Sequence, residues 1–236
     1  ASCYSSSSSE KMSVSKFLVN LFRGAERGGG MLVGVAEKYV LAFDTPEKIE
    51  SWDSVTDSGY GGKSRANIQH IVGSSSTYAR FSGNTSLHKS GKLVRSGFCA
   101  IRSQKWEPPL PLEDFEGLEI SLRTDGRTYT LNMEPEAFMP NELYQGFLTT
   151  QPGKWDIVQL PFNRLLCTLG GYPKTNQQQV DKLKLISLGI AIADGKEGEF
   201  QVDIEYIKAI RGMTMSYAEP KRKQMQGNLK EWPLDL

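Results

Sequence analysis

The segment whose residue types and spacing most invite a chemical reading is Asp57–Ser64, DSGYGGKS. Its close, Gly62-Lys63-Ser64, matches the end of a phosphate-binding loop, where backbone N–H groups and a lysine cradle phosphate oxygens. That motif needs its first glycine at position 57, and this chain carries Asp57 there. A carboxylate at that point would oppose the anion the loop should hold. No apolar strand leads into the segment and no helix leads out, so a nucleotide-hydrolysing loop is excluded. Gly59, Gly61 and Gly62 instead permit tight, left-handed backbone, and Asp53 and Asp57 can accept hydrogen bonds from turn N–H groups. Trp52–Ser64 is therefore predicted to be a shaped, self-satisfied loop without catalytic chemistry. Its carboxylates and carbonyls could approach a calcium ion, but the ligand spacing of a helix-loop-helix calcium site is absent.

The remaining reactive side chains are scattered. His70 and His88 are the two histidines, and each stands alone. Cys3, Cys99 and Cys167 are widely spaced, form no Cys-x-x-Cys pair, and read as reduced thiols, two of them buried. No Gly-x-Ser-x-Gly elbow occurs. The carboxylate pairs Glu113/Asp114, Glu134/Glu136 and Asp203/Glu205 are expected to be solvated surface acids, since sequence proximity says nothing of two acids facing across a cleft. Catalytic, cofactor and metal residues are accordingly expected to be absent. Trp52, Trp106, Trp155, Tyr60, Tyr129 and Tyr144 could line a sugar-binding face, because aromatic rings stack on sugars. Trp155 is expected in the core, as it opens an alternating strand; Trp52 and Trp106, beside turn residues, are left open.

The elements that position these residues follow from periodicity. The chain has 236 residues, 39% hydrophobic and 23% charged, with net charge +1. This suits one globular β domain and gives no field to attract nucleic acid. No apolar run is long enough to span a bilayer. Residues 1–11 are Ser-rich low-complexity sequence; with Ala rather than Met first, they fit a processed chain that has lost an organelle presequence. Residues 12–30 are predicted to form an amphipathic helix and a glycine hinge. Val14, Phe17, Leu18, Leu21, Phe22 and Ala25 make one apolar stripe, which would dock on the domain itself or on a partner.

From Lys38 the period changes to two. Strands are predicted around Tyr39–Phe43 and at Ala66–Val72, Thr77–Ser82, Ser96–Arg102, Leu118–Arg123, Tyr129–Met133, Tyr144–Thr149, Trp155–Leu160, Leu185–Ala193 and Phe200–Ile210. Asp125-Gly126 carries a hairpin signal, and Phe162–Lys182 is expected to hold a helical turn or two. In the last strand Phe200, Val202, Ile204 and Tyr206 should face one way and the polar set the other, wet, way. Ten short strands separated by turn residues predict an all-β jelly-roll sandwich over residues 38–212. Residues 213–236 read as an extended arm in which Trp232 could anchor a partner.

Three blocks, FDTPEKIESWDSVTDSGYGGKS, ARFSGNTSL and RSGFCAIRS, followed by KWDIVQLPF and FQVDIEYIKAIR, resemble the complex I intermediate-associated protein family in order and spacing. The resemblance covers about Lys38 to Gly212. It implies a galactose-binding-like jelly roll, similar to a carbohydrate-binding module. It also implies a non-enzymatic assembly factor for the membrane arm of mitochondrial complex I. Such a factor would act on the matrix side of the inner membrane, held there by complex I subunits and other assembly factors. A chloroplast relative serving another membrane complex and a module retaining sugar affinity are the alternatives. The residues that match are Trp52, Asp57, Ser58, Gly61, Gly62, Ser64, Phe81, Gly83, Gly97, Phe98 and Arg102. Most read as fold-forming glycines and core aromatics. The polar members Asp57, Ser64 and Arg102 are expected to form one hydrogen-bonded cluster tying the loop to the strand Ser96–Arg102.

Overall fold

The structure, a computed structural model, describes residues 37–88, 96–136, 142–178, 180 and 185–212. The Ser-rich segment, the predicted helix and hinge, and the arm lie outside the described residues, and with them Cys3, Phe17, Leu18, Leu21, Phe22 and Trp232.

The described chain opens with β1 (Glu37–Ala42), a single turn α1 (Glu47–Glu50) and β2 (Trp52–Thr56). A 3-10 turn at Asp57–Tyr60 leads to β3 (Arg65–Val72), β4 (Thr77–Thr85) and β5 (Cys99–Ser103). Then come β6 (Gly117–Thr124), β7 (Tyr129–Pro135), β8 (Glu142–Leu148) and β9 (Trp155–Pro161). A second 3-10 turn, Phe162–Arg164, precedes β10 (Leu166–Leu169), β11 (Tyr172–Pro173), β12 (Leu185–Ile192) and β13 (Gly198–Ile210).

These strands form two antiparallel sheets. The first runs β3-β4-β13-β6-β9, and the second β11-β10-β8-β7-β12-β5-β2. β13 is long enough to hold two partners end to end on one side: β4 pairs with residues 198–204 and β1 with residues 206–210. Alternation along the strands supplies the core. Phe81, Ile120, Leu122, Val202 and Ile204 of the first sheet meet Ile101, Leu131, Leu148, Leu188 and Ile190 of the second, all fully buried. At about 1.5–3 kcal/mol for each large apolar side chain removed from water, this interface dominates the stability.

The architecture is the predicted all-β sandwich, with local departures. The supposed loop Trp52–Ser64 begins as a strand: Trp52–Thr56 pairs along Cys99–Ser103 as the edge of the second sheet. Its exposed polar residues hide the alternation, because an edge strand buries little beyond Trp52. The stretch after Phe162 is mainly the short strands β10 and β11, which pair as a hairpin on β8. Asp125-Gly126 does not close a hairpin: it carries the chain from β6 in the first sheet to β7 in the second. There Thr124 Oγ1 accepts from the Gly126 N–H at 3.0 Å, and Asp125 accepts from the N–H groups of Arg127 and Gln201, both at 2.9 Å. In β13 a bulge between Ile204 and Tyr206 resets the inward set to Ile207 and Ala209 and turns Tyr206 outward.

Candidate functional site

The DSGYGGKS segment is built around one carboxylate. Asp57 opens the 3-10 turn and is completely buried. Its Oδ1 accepts from the Ser64 N–H at 2.9 Å. Its Oδ2 accepts from the Ser64 hydroxyl at 2.8 Å and from the Gly97 N–H at 2.6 Å. Ser64 Oγ in turn accepts from the Ser86 N–H at 3.0 Å, so three separate segments meet here. The backbone of Asp57 is held as well, donating to Phe98 O at 3.3 Å and accepting from Gly62 N at 2.9 Å. At the start of the turn the Ser58 N–H donates to Thr56 Oγ1 at 3.3 Å.

The glycines follow from this geometry. Gly61 ends the turn at φ 96°, a left-handed conformation that Cβ-bearing residues resist. A Cβ on Gly62 would overlap the Asp57 carboxyl group, so position 62 must be bare for the carboxylate to swing under the loop. A Cβ on Gly83 would run into the Arg65 carbonyl where β4 lies against β3. Among the apolar positions singled out in the sequence, Trp52 and Phe81 are buried, the Trp52 ring resting 5.4 Å from that of Phe43. Phe98 is half-buried, and Ser58 is exposed.

Arg102 is not part of this cluster. It lies on β5 opposite Asp53 of β2 and Gly189 of β12, and it is exposed. Its neighbours Ile101 and Ser103 point inward, so strand alternation sends Arg102 to the outer face while Asp57 turns in. The Gly97 N–H provides the link to the β5 side that the arginine was expected to provide. Cys99 lies close by, also fully buried. Burial, and then the charge of Asp57, pushes its thiol up to about 12, so it is not a nucleophile at neutral pH.

Two further polar clusters gave no warning in the sequence. Asp203, read as a solvated acid of β13, has no exposed surface. It sits on the outer face of the first sheet between arginines of the two flanking strands, in register with both. Arg80 reaches it through Nε at 2.7 Å and Nη2 at 3.1 Å, and Arg123 through Nε at 3.0 Å and Nη2 at 2.5 Å. Aromatic rings cover the triad. Arg123 Cζ stands 5.5 Å from the Tyr78 ring and 5.0 Å from that of Trp155, and the two rings meet edge-on at 5.3 Å. Trp155, expected in the core, is therefore on the outside with 39% of its surface exposed. At one end of the sandwich Arg127 is held by Asp194 at 2.5 Å and donates to the carbonyls of Lys196, Gly198 and Glu199.

The two histidines and the other aromatics do not converge. His88 is exposed, and His70 is half-buried with no partner for Nε2 among the described residues. Tyr129 and Tyr144 are core residues, Trp106 packs against the core, and Tyr60 is 71% exposed. Tyr60 lies in the turn between the edge strands β2 and β3, whereas Trp155 is on β9 at the far edge of the first sheet. Of the six aromatics singled out in the sequence, the two exposed rings thus share no face. Among the described residues no group of three His, Cys, Asp or Glu side chains could hold a metal ion, and no helix is long and apolar enough to cross a membrane.

Comparison with known proteins gives consistent results. A family model described as "Complex I intermediate-associated protein 30 (CIA30)" matches residues 41–204, well over half of the chain. The chain is 27% identical over 183 residues to "Complex I intermediate-associated protein 30, mitochondrial" of Drosophila melanogaster, covering 71% of this chain and 61% of the fly protein. It is 25% identical over 197 residues to the protein of the same name from Neurospora crassa, covering 71% of each. The chain thus spans about six-tenths of the length of the fly relative. Among solved structures, a family 11 carbohydrate-binding module from Clostridium thermocellum, in complex with a β-1,3-1,4-mixed-linked tetrasaccharide, superposes with a TM-score of 0.56 at 15% identity. That match covers 76% of this chain and 98% of the module. At that identity the likeness establishes the jelly-roll fold and nothing about ligands.

Proposed function

The chain belongs to the complex I intermediate-associated protein 30 family, and from that premise we propose that it is a non-enzymatic assembly factor for mitochondrial complex I. In this reading it acts on the matrix side of the inner membrane and holds subunits of the membrane arm, or other assembly factors, until they are joined. The observation that carries the reading is the family match over residues 41–204, which contains the Asp57 loop and most of the sandwich core, all but its last turn inward at Ile207 and Ala209. The Asp57 geometry supports a scaffold over an enzyme. Its carboxylate accepts three hydrogen bonds from its own chain and is shut away from solvent, so the most motif-like acid is not placed to exchange protons with a substrate.

The test is removal of the protein from its own cells, followed by native gel analysis of respiratory complexes. Loss of mature complex I with accumulation of a membrane-arm intermediate is expected, reversed by the full chain. Unchanged complex I, or a defect confined to a photosynthetic complex, would refute the mitochondrial reading. A second reading is sugar binding, favoured by one observation, the exposed indole of Trp155 on a sheet face. Titration with mixed-linked β-glucan tetrasaccharide decides it: no heat and no change in tryptophan fluorescence removes it.

A further inference from the structure

The outer face of the first sheet carries more hydrogen-bond donors than it can use. Four residues lie in one register line across four strands: Arg80 on β4, Asp203 on β13, Arg123 on β6 and Trp155 on β9. Two guanidinium groups share a single carboxylate, which leaves the trio with one net positive charge. An arginine brings five N–H donors. Arg80 and Arg123 spend only Nε and Nη2, on Asp203 and on Tyr78 Oη, which accepts from the two at 3.4 and 3.3 Å. Both Nη1 groups are left without an acceptor among the described residues, and so is the Tyr78 hydroxyl proton. The two guanidinium groups meet at Tyr78 Oη through their Nη2 atoms, and both arginine side chains keep 28% of their surface open to solvent.

Two neighbouring acids are engaged elsewhere. Glu205, two residues beyond Asp203, accepts from the Ser121 hydroxyl at 2.8 Å. On the edge strand β9, Asp156 turns back to accept from the Ile157 N–H at 2.9 Å. Beside the donors lies an apolar ledge: Trp155 and Ile157, alternate residues on the same face of β9, are 39% and 40% exposed. Trp, Tyr and Arg are the residue types that carry most binding energy at protein interfaces. Their positions here are fixed in advance by the buried triad, which lowers the cost of ordering them on binding.

We propose that this face, Arg80, Arg123, Trp155 and Ile157 around the buried Tyr78, docks an acidic segment of a partner protein. A carboxylate of the partner would take the Nη1 donors around Tyr78 Oη, and a neighbouring apolar side chain would lie on Trp155 and Ile157. The charge imbalance of the triad selects the acid, and the ledge selects a protein segment over a bare anion. The proposal rests on the assembly-factor reading and names the surface that reading needs.

The experiment places the photocrosslinker p-benzoylphenylalanine at Ile157 of the full chain in its own cells. A control crosslinker goes at Tyr60, outside the proposed face. The crosslinked peptide is sequenced, and the measurement is repeated with Trp155→Ala, a change at an exposed ring that should leave the fold intact; the melting temperature checks this. The expected result is a crosslink from position 157 to one complex I subunit or assembly factor, within a few residues of an Asp or Glu. It should weaken at least tenfold with Trp155→Ala and fall as salt is raised. A crosslink to lipid or glycan, a peptide without an acid, indifference to Trp155→Ala, or crosslinking at Tyr60 alone would overturn the proposal. Complex I assembly in the same cells separates the two levels. If deletion of the whole chain leaves complex I intact, the assembly reading fails; if deletion is harmful but Trp155→Ala and Ile157→Glu restore assembly fully, only the docking face fails.

Discussion

Replacing Asp57 by alanine should unfold the domain at markedly milder conditions, and the size of the effect follows from its three hydrogen bonds. Two opposing terms are present. Among the described residues no lysine or arginine pairs with this buried carboxylate, and stripping water from it costs several kcal/mol. Against that stand the Ser64 N–H, the Ser64 hydroxyl and the Gly97 N–H, at 2.6 to 2.9 Å. Hydrogen bonds to a charged group contribute about 1.5–3 kcal/mol each, so together they outweigh the desolvation. Alanine would leave two buried backbone N–H groups without acceptors, at about 1–3 kcal/mol apiece. Ser64 Oγ suffers less, since it already has a contact to Ser86 O at 3.5 Å. The net loss is about 3–5 kcal/mol, or on the order of 10 °C in melting temperature for a domain of this size. Asp57→Asn keeps the shape but must point its NH₂ at a backbone N–H, so it should lose about half as much. Ser64→Ala should cost about 1–2 kcal/mol. Urea unfolding followed by far-UV circular dichroism measures all three. If Asp57→Ala matches the parent, or Asp57→Asn exceeds it, the cradle is not what holds the loop and the reasoning is wrong.

Gly83→Ala should cost about 2 kcal/mol or more, because its Cβ would have to displace the Arg65 carbonyl in the β3–β4 ladder; amide exchange should show those two strands loosening first. Arg127→Ala should cost about 3–5 kcal/mol by leaving Asp194 and three backbone carbonyls without their cation, with Arg127→Lys recovering part of it in the same unfolding assay. The same pair makes a pH prediction. Burial tends to raise the Asp194 carboxyl, but the hydrogen bond and charge of Arg127 outweigh it and hold the group below its ordinary value of 3.8. A depressed carboxylate contributes stability above its unfolded pKa and loses it as pH falls through the folded one, so the melting temperature should drop below about pH 4, and less steeply in Arg127→Ala. Finally, maleimide at pH 7.5 should leave Cys99 and Cys167 unlabelled in the native chain and label both in urea, since burial removes their surface and raises both thiols; rapid native labelling of Cys99 would contradict its burial.

What the sequence discloses depends on which force sets the element. Strands with apolar residues on alternate positions, such as Leu118–Leu122 and Leu131–Met133, announce themselves because burial selects the pattern. Edge strands do not: Asp53, Ser54 and Val55 are exposed, and β2 is held by backbone pairing that leaves no trace in side-chain type. The Asp125-Gly126 turn is legible as a turn, but which sheet receives the next strand depends on contacts far along the chain, including the bond from Gln201 to Asp125. Trp155 shows the limit of period-two reasoning. Alternation separates the faces of a strand but does not say which face is inside when the outer one carries a ring stacked on Arg123. At the candidate site, Asp57 was legible as a turn acceptor and its pairing with Ser64 was expected from the residues that carry the family resemblance, whereas Gly97, 40 residues away, contributes only an N–H group that no side-chain pattern reports.

This difference bears on where a partner should be sought. The residues that carry the family resemblance are mostly spent on the fold. Asp57 is enclosed, Ser64 is enclosed, and Gly62 and Gly83 exist to let other groups approach. A surface that must meet another protein needs the opposite properties: exposure, unspent donors and rings held in place. Among the described residues the outer face of β4, β13, β6 and β9 has them, and it gets them from a buried ion triad rather than from a loop. A triad of two arginines and one aspartate is a poor device for stability alone, because desolvating three charges offsets most of their attraction and an apolar trio would pack there at lower cost. Its place on an outer sheet face fits positioning instead: Asp203 fixes two guanidiniums whose remaining donors stay available. Stability and recognition can then be separated experimentally. Asp57→Asn should lower the melting temperature and leave the surviving folded fraction competent for its partner. Trp155→Ala should do the reverse, preserving the fold and weakening the contact. If both variants lose partner binding only in proportion to unfolding, the division of labour between the cradle and the outer face does not exist.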